Sequence, residues 1–252
     1  MDMRKTFAAV FTLLLICFSC EKLPNPYDNN DDDASNRLVL LELFTTTTDM
    51  ENCDRANRAA DLLKSEEAYK VTVIQWHSSS GDTFGNDTTQ ARFNYYNVTS
   101  MPLAIFDGLE KVYYSSNMYN EYYDAMIVRQ EMQTPINLRL SGSVRAGSSI
   151  KATIIVNSPP GNGDFYLRMV LLEDGIIYTD KGTSRQYTLN CVARDTFGYY
   201  LGDEVRFGAG DSISVSHLFT IDRKWNKERM YVVAFIQNDR QKEILQSAYT
   251  NN

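Results

Sequence analysis

The sequence predicts an α/β half followed by an all-β half, behind a short export leader. Three observations carry this prediction. A near-continuous apolar run, Leu38 to Phe44, reads as a strand covered on both faces and feeds a loop and then a helical pattern. From there to residue 134, strand-like and helix-like periods alternate. After Thr134-Pro135 only period-two alternation remains, broken by turn residues. Hydrophobic content of 43 % with 23 % charge places the chain among globular proteins.

The elements follow in order. Thr48 and Glu51 have capping-box spacing ahead of the first helix. That helix sets Ala56, Ala59, Ala60, Leu62 and Leu63 largely on one side. Lys70 to His77 is a second strand, and Ser78 to Asp87 a polar loop. Thr88 to Asn97 is a short helix carrying Ala91, Phe93 and Tyr96. Leu103 to Phe106 and Lys111 to Tyr114 form a hairpin around Asp107-Gly108. Ser115 to Gln133 is a helix with Met118, Tyr122, Met126 and either Val128 or Arg129 near one face. Beyond Pro135, alternation marks Ile136 to Leu140, Ile150 to Val156, Phe165 to Leu171, Ile213 to Phe219, Met230 to Gln237 and Glu243 to Tyr249. Short alternating strands without a convincing helix predict a β-sandwich of immunoglobulin or fibronectin type over 135–252. Thr179 to Arg206 reads as a long irregular connection, of the kind that often carries function.

The order β-α-β-α-β-β-α over 37–134 is that of a thioredoxin-like domain. The loop and helix start Met50-Glu51-Asn52-Cys53 has the layout of a thioredoxin-type redox site, where two cysteines sit three positions apart. Met50 stands where the attacking cysteine would be. Disulfide exchange needs a thiolate to attack and a second thiol to resolve. The helix N-terminus lowers the first cysteine's pKa, but a thioether cannot ionise. Cys53 lies deeper in the first turn, and Asp54 beside it disfavours a second anion. The site is therefore expected to be a degenerate one, made of Met50, Cys53 and Pro102. Met101-Pro102 sits where thioredoxin-like proteins carry a cis proline facing the motif.

The N-terminus reads as a leader. Arg4 and Lys5 precede an apolar stretch, Phe7 to Ser19, too short to span a bilayer. Ser19-Cys20 at its end has the form of a bacterial lipoprotein cleavage site, with Cys17 where leucine is usual. The expected division is 1–19 signal peptide, 20–36 lipidated cysteine and acidic tether, 37–134 thioredoxin-like domain and 135–252 sandwich. The tether holds Pro24, Pro26 and Asp31-Asp32-Asp33, with almost nothing to bury. Losing residues 1–19, with one acid and two bases, takes the net charge from −7 to −8. That acidity argues against nucleic-acid partners and against charge-driven binding to anionic lipid. Cys53 and Cys191 are the cysteines left for the folded part.

His77 ends the second strand within possible reach of Cys53, and a Cys-His pair can make a nucleophile. A hydrogen-bonded structural histidine is the expectation, and likewise for His217 beside Ile213, Val215 and Phe219. No spacing suggests a metal site or a cofactor. Aromatic rings can stack on sugars or anchor partners. Tyr119, Tyr122 and Tyr123 have core spacing, which leaves Tyr199 and Tyr200 in the long connection, with Arg194, as the candidate binding residues.

The whole chain from 37 to 249 resembles one family. Leu41-Glu42-Leu43-Phe44-Thr45, Asn52-Cys53-Asp54-Arg55-Ala56, Met101-Pro102 and Phe106-Asp107-Gly108 are similar to the N-terminal half of the outer membrane protein twenty-eight family. Val170 to Gly175, Val192 to Asp195 and Val232 to Asn238 match its second half. The resemblance implies a lipid-anchored protein of the outer membrane, without fixing which side it faces. Members with an intact Cys-x-x-Cys are implied to be redox competent; Met50 departs from that. The expected function is a non-catalytic binding or scaffolding module with a protein or glycan partner. The alternatives are a thiol-dependent oxidoreductase or peroxidase using Cys53, and a glycan-binding surface lipoprotein.

The anchor has a direct test. Acyl burial contributes about 0.8 kcal/mol per methylene, so Cys20→Ala should leave folding intact and either block processing or release the protein from the membrane fraction. Unchanged processing and unchanged membrane fractionation of that variant would rule the anchor out.

Overall fold

The computed structural model describes residues 37–66, 70–147, 149–198, 202–208 and 210–250. Strand β1 (Val39–Thr45) is buried along its length and pairs in parallel with β2 (Val71–His77). β3 (Leu103–Phe106) runs antiparallel on the other side of β1, and β4 (Glu110–Tyr113) pairs with β3. On β1, Val39, Leu41 and Leu43 enter a core with α1 (Met50–Ser65) and α3 (Met118–Gln130). Leu40 and Phe44 point the other way, into a core that also takes Phe93 and Tyr96 of α2 (Asp87–Tyr96). Both faces of β1 are thus covered, which is why its sequence is apolar without alternation.

Local signals differ in places from the expectation. α1 is capped by Asp49, whose carboxylate accepts the Asn52 N–H at 3.5 Å, and not by a Thr48/Glu51 box. Thr48 belongs to a 3-10 turn (Thr47–Asp49) capped by Thr46. A reciprocal capping box forms instead at α2, between Asn86 and Thr89. Leu62, expected on the buried face of α1, is 55 % exposed. On α3 it is Arg129 that is buried, while Val128 is exposed.

In the second half, β5 (Ile136–Ser141), β6 (Ser149–Val156) and β12 (Ser212–Leu218) form a three-stranded antiparallel sheet. It packs on β7 (Phe165–Glu173), β13 (Met230–Asn238) and β14 (Ile244–Tyr249). Ile150, Ile154, Leu167, Met169, Val232 and Ala234 lie in the core between them.

The segment Thr179 to Arg206, expected to be an irregular connection, contains β9 (Gln186–Leu189), β10 (Val192–Thr196) and β11 (Asp203–Val205), and β8 (Ile176–Thr179) leads into it. β8 and β9 form a hairpin, and β10 and β11 both pair with β7. β10 also meets β2 in parallel, Val192 opposite Gln75, and the Gln75 N–H donates to the Cys191 carbonyl at 2.7 Å. The result is one nine-stranded sheet ordered β14-β13-β7-β10-β2-β1-β3-β4, with β11 on β7. The architecture is mixed α/β with a large sheet and few helices. Strands from both sides of Thr134-Pro135 enter it.

The two sides also share a core. Val170, Leu172, Tyr231, Val233 and Phe235 pack with Leu40, Phe44, Ile74 and Trp76. Strands β7 and β13 therefore bury alternate side chains on opposite faces, one set in the sandwich core and the other here. Inside the shared core lies the carboxylate of Glu42, fully buried. Arg92 Nε and Nη2 donate to its two oxygens at 2.6 and 2.7 Å. Trp76 Nε1 donates to Oε1 at 2.9 Å and the Tyr96 hydroxyl to Oε2 at 2.8 Å. Gln237, on β13, accepts from Arg92 at 2.8 Å and from Arg168 at 3.0 Å.

A second buried network ties the turns. Asp107 accepts from Arg37 Nε at 2.8 Å, from Arg129 Nε at 3.3 Å and from the Leu40 N–H at 2.8 Å, and Arg129 also bonds Glu243 at 2.6 Å. Gly108 has φ +77°, and a Cβ there would collide with the Lys242 carbonyl oxygen. Only glycine allows the β3–β4 turn to press so closely on the β13–β14 turn.

Cutting at Pro135 would expose the apolar residues of the shared core, so the halves should unfold as one unit. Glu42→Gln leaves the buried Arg92 charge uncompensated and should destabilise the protein by about 3–5 kcal/mol. Denaturant melts should show a single shared transition for far-ultraviolet dichroism and tryptophan emission in both proteins. Two separated transitions in the wild type would contradict this.

Candidate functional site

Three elements converge at the start of α1. Met50 is its first helical residue and is buried. It packs with Tyr187 and Leu189 of the β8–β9 hairpin and with Val192, flanked by Phe84 and Tyr178. The Tyr178 ring meets Phe84 edge-on at 6.1 Å and stacks on Tyr187 at 6.5 Å. The hairpin thus roofs the start of α1 at Met50. A cleft of about 640 Å³ remains beside it, between Asp49, Glu51 and Arg58 of the helix start and Asp180 and Arg185 of the hairpin.

Cys53 sits one turn into α1 with no exposed surface. Burial raises its thiol pKa; hydrogen bonds with the Thr45 side chain and Thr46 backbone act in the opposite sense, and the charges of Asp49 and Asp82 add to the rise. Asp54, expected to supply that charge, is instead held by Arg58 at 2.9 Å. The Met101-Pro102 bond is cis. Pro102 precedes β3, whose first residue Leu103 pairs with Phe44, next to the Thr45 that bonds Cys53.

His77 pairs with Thr45 in register and is fully buried. Its Nδ1 lies 2.8 Å from Asp82 Oδ2, which also accepts the Thr47 N–H at 2.6 Å. Asp82 resists the upward push of burial: His77 and the Phe84 and Thr47 N–H groups hold its pKa below the ordinary carboxylate value. His77 Nε2 and both polar atoms of the Gln75 side chain are buried without a protein partner. Buried polar atoms without a partner are unusual in a structural core.

Cys191 and Cys53 are free thiols. Cys191 is buried and lies 3.1 Å from Lys64 Nζ, which also donates to the Tyr231 hydroxyl at 2.9 Å. Burial pushes the Cys191 thiol up to about 11 despite that ammonium. Arg194 does not face an open surface: it pairs with Glu173 at 3.2 Å and lies over the Phe84 and Trp225 rings. Tyr199, Tyr200 and Cys20 lie outside the described residues. His217 bonds Asp203 at 2.6 Å, linking β12 to β11.

A cavity of about 370 Å³, with no counterpart among the sequence-predicted sites, lies where α2 meets β7, lined in part by Arg92, Arg168, Trp76 and Tyr95. Its one visible sign was charge at core-facing positions, Glu42 in an apolar strand and Arg92 beside Phe93.

Fold and site together define a mixed α/β protein with a covered, cysteine-depleted helix start and a sandwich fused to its sheet. The family model described as outer membrane protein Omp28 matches residues 89–250, and the chain belongs to that family. The cell envelope, at the outer membrane, is its place. The match leaves the helix start at Cys53 outside its span. HBP35 of Porphyromonas gingivalis is similar in structure, with a TM-score of 0.67 at 15 % identity, over 85 % of this chain and 74 % of that one. A protein of Agrobacterium tumefaciens aligns over 84 % of this chain and 93 % of that one, with a TM-score of 0.58 at 15 % identity. A domain of the outer membrane lipoprotein Omp28 from Porphyromonas gingivalis covers 47 % of this chain and 88 % of that one, with a TM-score of 0.31 at 17 % identity. No curated protein matches the sequence.

Two measurements check this geometry. Cys53 and Cys191 should resist iodoacetamide in the native protein and react fully in denaturant, read peptide by peptide in a mass spectrometer. Asp82 has a depressed folded pKa, so its contribution is present above the ordinary carboxylate value and disappears as pH falls through the depressed one. Asp82→Asn should therefore lower stability at neutral pH and flatten the loss of stability below about pH 4.

Proposed function

We propose that this outer-membrane protein is a lipid-anchored, non-catalytic binding or scaffolding module built on a redox-inactive thioredoxin-like domain and an immunoglobulin-like sandwich. The observation that carries the reading is Met50, buried at the helix start beneath the β8–β9 hairpin. A disulfide-exchange site needs an ionisable first residue and access to its substrate; Met50 supplies no ionisable group and is itself buried against the hairpin. The thioredoxin-like assignment is supported by the run β2-β1-β3-β4, by antiparallel β3 and by cis Met101-Pro102 beside the helix start. The sandwich assignment is supported by the two facing sheets of the second half. Anchoring at Cys20 and a protein or glycan partner complete the proposal.

One observation favours a second reading. His77 Nε2 and the Gln75 amide, unpaired near the buried Cys53, would serve a thiol-dependent oxidoreductase or peroxidase if the hairpin opened. The glycan reading draws on Tyr113 and Tyr114, both exposed at the β4 edge.

An insulin-reduction assay with dithiothreitol should give no rate above buffer; a rate that Cys53→Ser abolishes would promote the thiol reading. Met50→Cys places a second thiol one helical turn from Cys53, within the roughly 4.4–6.8 Å Cα range of disulfides. That variant should form an intramolecular disulfide under mild oxidation, visible by mass. A folded variant that stays reduced would sink the thioredoxin-like assignment.

A further inference from the structure

We propose that the 370 Å³ cavity between α2 and β7 is a binding site for a small organic carboxylate with an apolar, preferably aromatic, body. The inference deepens the binding-module reading by naming what one part of the module binds, and it uses residues remote from the covered helix start.

The size fits. Small-molecule sites run from about 300 to 1,000 Å³, apolar walls with a few placed polar groups. Here the walls are Trp76, Tyr95, Phe197 and Phe235, and the polar groups include Arg92 and Arg168. No carboxylate lines the cavity among the described residues. The acids that balance the two arginines lie behind them. Glu42 is saturated by four donors: Arg92 Nε and Nη2, Trp76 Nε1 and the Tyr96 hydroxyl. Asp239 takes Arg168 Nη2 at 2.9 Å and the Tyr95 hydroxyl at 2.9 Å.

Both guanidiniums keep capacity. Arg168 is nine-tenths buried; its Nη1 goes to Gln237 and its Nη2 to Asp239, while its Nε has no partner. The hydrogen bonds of Arg92 among the described residues leave from Nε and Nη2, none from Nη1. The Tyr95 ring lies 4.6 Å from the Arg92 Cζ and 5.3 Å from the Arg168 Cζ, which holds both planes in place. Lys242 Nζ is also 4.9 Å from that ring. Lys242 does not line the cavity; it donates to the Tyr95 carbonyl and adds a third cation beside the Arg92–Glu42 and Arg168–Asp239 pairs. A planar carboxylate suits the Arg168 Nε and Arg92 Nη1 groups left without acceptors among the described residues, since guanidiniums match carboxylate geometry. The aromatic walls favour an apolar body over a bare inorganic ion.

Trp76 lines the cavity and is one of two tryptophans in the chain. The full chain carrying Trp225→Phe therefore reports on the cavity through Trp76 emission. The probes are 3-phenylpropionate and its neutral amide, with calorimetry in parallel. The acid should bind saturably, and at least about tenfold more tightly than the amide, the factor expected for a charged hydrogen bond. Ala91→Phe fills the cavity from the half-buried side of α2 and should abolish binding with unchanged dichroism. Arg168→Met should weaken the acid about tenfold and leave the amide unmoved. If Arg168→Met does not fold, the acid-to-amide ratio and Ala91→Phe decide. Absence of saturable binding, equal binding of acid and amide, or full binding by folded Ala91→Phe overturns the proposal. None of these outcomes depends on insulin reduction or membrane fractionation, so the broader reading stands or falls separately.

Discussion

The carboxylate of Glu42 is the constraint on which the rest of this structure depends. It is a full charge with no access to water, and removing it from water is costly unless every lone pair is satisfied. Satisfying it recruits β2 through Trp76, α2 through Arg92 and Tyr96, and, by way of Gln237 and Arg168, the strands β13 and β7. Elements from opposite ends of the chain are thus committed to one geometry. Hydrophobic packing alone would tolerate some slippage between α2 and the second half; a bidentate ion pair inside that packing does not.

The β10 strand is the mechanical counterpart of this network. With β7 on one side and β2 on the other, it converts two sheets into one. The same excursion of the chain supplies the β8–β9 hairpin that covers Met50. Joining the halves and closing the helix start are therefore consequences of a single segment. This separates the molecule's chemistry into a sealed region around Cys53 and His77 and an accessible cavity at the seam. Gln75 and His77 of β2 leave buried polar atoms without a protein partner in the sealed region.

Much of the framework was legible in the residues. The bare apolar run of β1, the helical spacing of α1 and α3 and the period-two alternation of β6 all reflect local patterns of burial. The site was half legible. The thioether at Met50 rules out an attacking thiolate whatever the fold. Cys53 is buried as its depth in the helix implied; burial is the main cause of its raised pKa, and the charges of Asp49 and Asp82 add to it. β9, β10 and β11 were missed because each is three to five residues long, and the long-range pairings of β10 and β11 have no local signature.

By itself the sequence determined most of the elements of the first half, the longer strands of the second and the absence of an ionisable group at position 50, because each rests on neighbouring residues or on one side chain's chemistry. Only the tertiary structure decided that the halves share a sheet and a core, that a hairpin covers the helix start, and that Arg92 and Arg168 meet across a cavity. Those facts depend on contacts between residues far apart in the chain, and periodicity carries no information about which buried face meets which.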